Sequence, residues 1–348
     1  MEWVRRKTIG HGSFSTVSLA TTTAGNSSPA LPPVMAVKSS GVVGSAMLRN
    51  EKHVLDHLGD CPQIVRCFGD AWTVENGEEI YNLFLDYASG GSLADYVRKS
   101  GGSLPEFEVR RFTRTIVQGL RHIHANGFSH CDVKLDNILM FGDGEARISD
   151  FGLAKKMENE TRSTMEETRV EIRGTPLYMA PESVNDSVFE SPADIWALGC
   201  SVVEMASGKT AWCLEEGPNI MSLFFRIGAG DEVPRIPAEL SEEGKDFLQK
   251  CFVRDPANRW TAEMLLDHPF VAVDEEKSWI SPRGPFDFPE WISVQSSVIE
   301  PVTVGSPVND KPFGSWESYS PPGERIRGIF TTEEAPDWSV SCDWVNVR

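Results

Sequence analysis

Basic charge is scarce in this chain: 33 Lys and Arg stand against 51 Asp and Glu, for a formal net charge of −18. So acidic a surface repels phosphate backbones and anionic headgroups. That argues against nucleic acid and anionic lipid as main partners and leaves solubility as the plain meaning of the charge. Paired cysteines are missing too. Cys61, Cys67, Cys131, Cys200, Cys213, Cys251 and Cys342 are scattered, odd in number and form no C-x-x-C. This argues against a disulfide framework or a zinc site and for a reducing compartment. No apolar run reaches the ~20 residues that span a bilayer. The start, Met1-Glu2-Trp3-Val4-Arg5-Arg6-Lys7, has no signal core, and Glu2 excludes N-myristoylation. No internal repeat is visible. The expectation is a soluble intracellular protein with room for one two-lobed domain and a tail.

What is present changes character twice along the chain. From about Trp3 to Leu85 the apolar residues Val17, Leu19, Met35, Val37, Ile64, Val65, Phe68, Leu83 and Leu85 read as strands separated by turn formers, among them Gly25-Asn26-Ser27-Ser28-Pro29 and Glu75-Asn76-Gly77. One helix interrupts them, Ser45 to Leu58, with Met47, Leu48, Val54, Leu55 and Leu58 as its stripe and Gly59 as its stop. Beyond Gly90-Gly91 the period becomes helical. Phe107, Val109, Phe112, Ile116, Val117, Leu120, Ile123 and His124 fit one long amphipathic helix, and further helices are expected at 191–207, 220–227, 241–251 and 261–266. The fold class is therefore α+β and bilobal, a β-rich lobe over about 3–87 and a helical lobe over about 88–270 with a cleft between them. From Val271 to Arg348 proline recurs without period, so an acidic, largely disordered tail is expected. Its Trp279, Trp291, Trp316, Trp338 and Trp344 suit either docking motifs or packing back onto the domain.

Four motifs carry chemistry. Gly10-His11-Gly12-Ser13-Phe14-Ser15-Thr16-Val17 lies between two strands, where glycines let backbone amides approach phosphates. A plain hairpin turn explains it about as well, but the strand that follows rules out the dinucleotide-fold reading. Met35-Ala36-Val37-Lys38 lies on a strand, where a lysine could simply be a solvated strand end, but Glu51, near the middle of the next helix, could reach back to Lys38 and fix its ammonium against two phosphates. Arg49 and Lys52 leave a surface salt bridge open as the other reading of Glu51. His130-Cys131-Asp132-Val133-Lys134-Leu135-Asp136-Asn137 is more specific. In a loop after a long helix, Asp132 can orient a hydroxyl and take its proton, Lys134 can screen a transferring phosphoryl group, and Asn137 can ligate a metal. Asp136 reads as a solvated loop residue. In Ile148-Ser149-Asp150-Phe151-Gly152, Asp150 offers a hard oxygen for Mg²⁺, with Mn²⁺ as an alternative, while Phe151 is an apolar anchor and Gly152 a hinge.

Their order and spacing resemble the eukaryotic protein-kinase signature set, whose chemistry is phosphoryl transfer from ATP. The resemblance runs from about Trp3 to Phe270. Gly174-Thr175-Pro176-Leu177-Tyr178-Met179-Ala180-Pro181-Glu182 resembles the end of a kinase activation segment, and Asp194-Ile195-Trp196-Ala197-Leu198-Gly199 the helix anchoring the large lobe. The resemblance implies that Arg259 partners Glu182, a buried pair costly to break from one side. It implies an ATP site of Ile9, the 10–17 loop and Lys38. Leu85 would be gatekeeper, Asp86 and Ala88 would offer hinge backbone to adenine, and Val17, Ala36 and Leu139 would sandwich the ring. Lys134 and Thr175 match the serine/threonine type.

Ser15 stands where a third glycine often occurs in the loop, and a second departure matters more. Cys131 replaces the Arg that usually binds an activation-segment phosphate, so phosphorylation of Ser163, Thr164 or Thr168 is expected not to be strictly required, unless Lys155, Lys156, Arg162 or another basic group substitutes. Several segments resemble plant mitogen-activated protein kinase kinase kinases of the MEKK-like group. That implies a mitogen-activated protein kinase kinase as protein substrate, a role in stress and abscisic acid signalling, and residence in cytoplasm and nucleus. A serine/threonine kinase of another branch, or a pseudokinase scaffold, is the alternative, and the presence of Lys38, Asp132, Asn137 and Asp150 weighs against the scaffold. The tail is a candidate docking or autoinhibitory element.

Overall fold

The computed structural model describes residues 3–12, 15–22, 31–142, 144–157, 173–212 and 220–272, all within one compact unit of the chain. The expected loop at 25–29, Ser13, Phe14, the three candidate phosphosites Ser163, Thr164 and Thr168, Arg162 and almost all of the expected tail lie outside the described residues.

In the first half the edge strands carry alternating exposed residues and two of the inner strands are buried along most of their length. Strands β1 (Trp3–His11), β2 (Thr16–Thr22), β3 (Val34–Gly41), β4 (Cys67–Glu75) and β5 (Glu78–Leu85) form an antiparallel sheet in the order β1-β2-β3-β5-β4. Between β4 and β5, Asn76 and Gly77 take φ of 53° and 86°. Two consecutive left-handed residues give the turn whose twist matches the flanking strands, and Asn-Gly tolerates that conformation best. β1 is tied across the sheet by Arg5, which donates to Ser39 Oγ (3.0 Å), Glu75 Oε1 (2.8 Å) and the wholly buried Asn82 (2.7 Å). Helix α1 (Ser45–Leu58) packs on the sheet through Leu48, Val54, Leu55 and Leu58, and also buries Glu51; Gly59 N–H closes it on the Leu55 carbonyl. Met47, expected in that stripe, lines the cleft instead.

The second half begins with the short strand β6 (Gly91–Ser92) and helix α2 (Leu93–Lys99), capped reciprocally by Ser92 and Asp95. Helix α3 (Glu106–Ala125) buries Val109, Phe112, Ile116, Val117, Leu120 and Ile123. Phe107, expected in the same stripe, is 68% exposed. Two residues before Val109 it lies about 160° around the helix from that face. Strands β7 (Phe128–Ser129), β8 (Ile138–Met140), β9 (Ala146–Ile148) and β10 (Lys155–Lys156) are short pairs that brace the loops between them. Helices α4 (Pro181–Asp186), α5 (Ser191–Ser207), α6 (Ile220–Gly228), α7 (Glu242–Cys251) and α8 (Ala262–Leu266) complete the described residues. α5 is apolar nearly all round and sits at the centre of this half, as a helix without a polar face must. Val271, expected to open the tail, is buried, and Arg114 donates to its carbonyl at 2.7 Å, so core packing continues past Phe270.

Candidate active site

A cleft of about 780 Å³ separates the sheet from the helical half, within the range of small-molecule sites. Ile9, Gly10, His11, Gly12, Ser15 and Val17 of the β1–β2 hairpin line one side, with Ala36, Leu85 and Leu139 supplying apolar wall and Asp86 and Ala88 the edge. Thr16 belongs to the predicted loop but not to the lining; it pairs with Ser39 on β3. The Asp86 N–H is already donated to the Arg66 carbonyl at 3.0 Å, which leaves its carbonyl as the hinge group open to a ligand. The Asp86 carboxylate takes a 2.8 Å bond from Arg147 of β9, whose guanidinium stacks over Phe141.

At the inner end of the cleft Lys38 Nζ donates to Glu51 Oε2 at 2.7 Å and to Asp150 Oδ1 at 2.8 Å. Glu51 is wholly buried, whereas the Asp150 side chain is 47% exposed. Burial alone would drive all three towards their neutral forms. The two carboxylates outweigh it for Lys38, whose pKa is raised, and the Lys38 ammonium outweighs it for Asp150, whose pKa is lowered. For Glu51 burial wins over Lys38 and the pKa is raised. The surface salt-bridge reading of Glu51 is thereby set aside. Asp150 adopts φ 64°, ψ 70°, a left-handed conformation that costs a non-glycine residue energy and is held by its surroundings. Those include Phe151, fully buried against the His130 ring at 4.9 Å, while Gly152 lines the cleft beside Asp150.

The second cluster is Asp132, Lys134, Asn137 and Thr175. Lys134 Nζ and Asn137 Nδ2 donate to Asp132 Oδ2 at 2.7 and 2.9 Å, Thr175 Oγ1 donates to Asp132 Oδ1 at 2.7 Å, and Lys134 also donates to Thr175 Oγ1 at 2.8 Å. A second N–H of Asn137 goes to the Asp132 carbonyl at 2.8 Å. The amide nitrogen is thus committed, and its side-chain oxygen is the atom left for a cation. Among the described residues no three His, Cys, Asp or Glu side chains cluster as a metal cage. Asn137 and Asp150 together suit a hard cation that completes its shell with phosphate oxygens.

Thr175 is brought in by Gly174, at φ 96°, where an added Cβ would fall 2.4 Å from the Cys131 carbonyl oxygen. A side chain there must displace backbone, and left-handed φ adds strain. Gly174→Ala should therefore pull Thr175 off Asp132 and lower kcat about tenfold or more, with a change in urea midpoint under that of a core deletion. An unchanged kcat would contradict this.

The loop itself hangs on α5. The buried Asp194 accepts N–H bonds from His130 (2.8 Å) and Cys131 (2.9 Å) and from His124 Nε2 (2.9 Å). Burial raises its pKa, but His124 and the backbone bonds outweigh burial and the net shift is downward. A depressed carboxylate contributes stability above its unfolded value of about 3.9 and loses it as pH falls through the lower folded value. Asp194→Asn should thus cost about 2–3 kcal/mol at pH 7, and the gap should close only below about pH 4. Urea midpoints against pH would show this; a gap already closed at pH 6 would contradict it.

Cys131 sits at φ 66° with its thiol half-buried. Burial and then Asp194 push its pKa up, only partly offset by Arg173, so it is not a reactive thiolate. Of the basic groups expected as possible substitutes, Lys155 lies 3.9 Å from Glu190. Arg173 lines the same small pocket as Cys131 and donates to the Leu153 carbonyl at 3.0 Å. No local pattern in the sequence singles it out, because its approach depends on how the segment folds back.

Farther from the cleft, Arg259 and Glu182 meet bidentately at 2.6 and 3.0 Å, both buried. No described helix is long and apolar enough to cross a membrane.

Comparison with known proteins agrees with this geometry. Residues 3–271 match the protein kinase domain family model. Mitogen-activated protein kinase kinase kinase 20 of Arabidopsis thaliana is 53% identical over the whole of both chains. Mitogen-activated protein kinase kinase kinase 18 of the same plant is 38% identical over 86% of this chain and 88% of its own. Mitogen-activated protein kinase kinase kinase 17 is 39% identical over 78% and 70%.

Proposed function

The chain belongs to the protein kinase family and is a serine/threonine protein kinase; from that premise we propose that it phosphorylates Ser or Thr of a mitogen-activated protein kinase kinase, acting in stress and abscisic acid signalling in cytoplasm and nucleus. The observation that carries the chemistry is the convergence in one cleft of the Glu51–Lys38–Asp150 chain with the Asp132–Lys134–Thr175 cluster. The substrate assignment is supported by the three relatives, each named a kinase of that tier and one matching from end to end. The pathway and compartments rest on the resemblance of the motifs alone.

In this mechanism the 9–17 hairpin covers ATP and the walls of Val17, Ala36 and Leu139 hold the adenine. Lys38, held by Glu51, grips the phosphates. Asp132 orients the acceptor hydroxyl and takes its proton, and Lys134 steadies the γ-phosphoryl during in-line transfer. A divalent cation bound by Asn137 and Asp150, Mg²⁺ with Mn²⁺ as the alternative, would neutralise phosphate charge.

The test is transfer of labelled phosphate from ATP by the full chain and by Asp150→Ala, offered a kinase-dead plant mitogen-activated protein kinase kinase and a generic basic protein. Labelling of the first acceptor by the unmutated chain alone supports the activity and the substrate. Labelling of the generic protein only removes the substrate assignment. No labelling with ATP still bound favours the scaffold reading. A tagged chain excluded from nucleus or cytoplasm would remove that part.

A further inference from the structure

The side chain next to Glu51 on α1 has no role in the mechanism above, yet it makes the most concentrated set of bonds between α1 and the turn that carries Asp150. Asn50 Nδ2 donates to the carbonyls of Ala154 (2.9 Å) and Gly152 (3.1 Å), with Phe151 at 3.4 Å. Glu51 Oε1 meanwhile accepts the Phe151 N–H at 3.3 Å. Two successive residues of one helix thus grip the 151–154 backbone, one as donor and one as acceptor, across about a hundred residues of chain.

We propose that Asn50 is a positioning residue for phosphoryl transfer: its amide fixes α1 to the 151–154 turn, so that Glu51 and Asp150 reach Lys38 together. The inference rests on the kinase reading. Lys38 can contact both carboxylates only while α1 and the turn keep their distance. The turn begins at a left-handed Asp150, a conformation that outside contacts must hold. The Lys38–Glu51 pair restrains α1 from the sheet side, but Glu51 is also committed to Lys38, so it is a poor sole anchor for the turn. Asn50 is uncharged and free of that competition. A helix-surface asparagine without such a role would leave its amide to water, and this one does not.

The test compares the full chain with Asn50→Asp, Asn50→Leu and Asn50→Gln. Aspartate keeps the size but sets acceptors against acceptors; glutamine keeps the donor. The expected result is a kcat lowered about tenfold or more in the Asp and Leu variants, KM for ATP changed less than about threefold, melting temperatures little altered, and recovery of much of kcat by Gln. Hydrogen exchange at the 151–155 amides should be faster in Asn50→Asp. A kcat equal to the parent's, or one that only tracks melting temperature across the three variants, overturns the proposal. If the parent itself transfers no phosphate, the kinase reading falls first. Exchange at 151–155 then still decides the contact, faster exchange supporting it and unchanged exchange overturning it.

Discussion

Asp132→Asn should remove nearly all phosphate transfer, about 10²–10⁴-fold in kcat, while ATP affinity stays within about threefold. The Asp132 carboxylate is the meeting point of three donors: Thr175 on Oδ1, Lys134 and Asn137 on Oδ2. An amide of the same size keeps only one acceptor oxygen and turns its N–H₂ either towards Thr175 or towards Lys134 and Asn137. The variant therefore loses the base for the acceptor's proton and also either loses the bond that Thr175 donates or sets its N–H₂ against Lys134 and Asn137. The substitution leaves the apolar walls and the Lys38 pair as they are, so nucleotide binding should be spared. Single-turnover transfer with saturating ATP, beside a nucleotide-binding measurement, separates the two effects. More than a tenth of the parent rate in the variant would show that Asp132 is not the proton acceptor and would move the mechanism towards positioning alone.

Three residues of that cluster were legible in the sequence because the chemistry compresses them, while Thr175 was read only through the resemblance. Asp132, Lys134 and Asn137 fall within six positions of one loop, and their types and spacing already fix what a loop could do with them. The same holds for α1, whose stripe, length and Gly59 stop are local properties. Lys38 and Glu51 were readable for a different reason: a strand and the middle of the helix that follows it, thirteen residues apart, have few ways to avoid each other, although β3 runs on past Lys38 to Gly41. What stayed hidden has no local period. Asn50 meets backbone carbonyls, which carry no residue identity to match. Arg147 reaches Asp86 over 61 residues, and Arg173 joins the pocket that Cys131 lines only through the fold. Phe107 failed by phase, being apolar on the wrong side of its helix. The carboxylate of Asp194 belongs with these. Its place on an apolar helix was visible, but the two loop N–H groups it holds were not.

Arg259→Ala should destabilise the fold more than any of the other substitutions above, on the order of 3–5 kcal/mol. The guanidinium forks onto both oxygens of Glu182 at 2.6 and 3.0 Å, donates to the carbonyls of Val253 (2.8 Å), Pro192 (2.7 Å) and Arg254 (3.2 Å), and lies 5.2 Å from the Trp196 ring centroid. The side chains are 0% and 7% exposed, so water cannot take over when one partner is cut away. Alanine leaves a buried carboxylate and three carbonyls facing a cavity; the unpaired charge dominates that cost. Lysine should recover only part, because a point charge cannot serve both oxygens and the carbonyls at once. In a domain of this size each kcal/mol moves the melting temperature by about 2–4 °C, so a drop of about 6 °C or more is expected for alanine. Glu182→Leu combined with Arg259→Met should be less destabilised than Arg259→Ala alone, since removing both charges leaves no orphan. An unchanged melting temperature in Arg259→Ala would show that the pair is solvated in solution, and would detach the end of the activation segment from the core to which Arg259 bonds it.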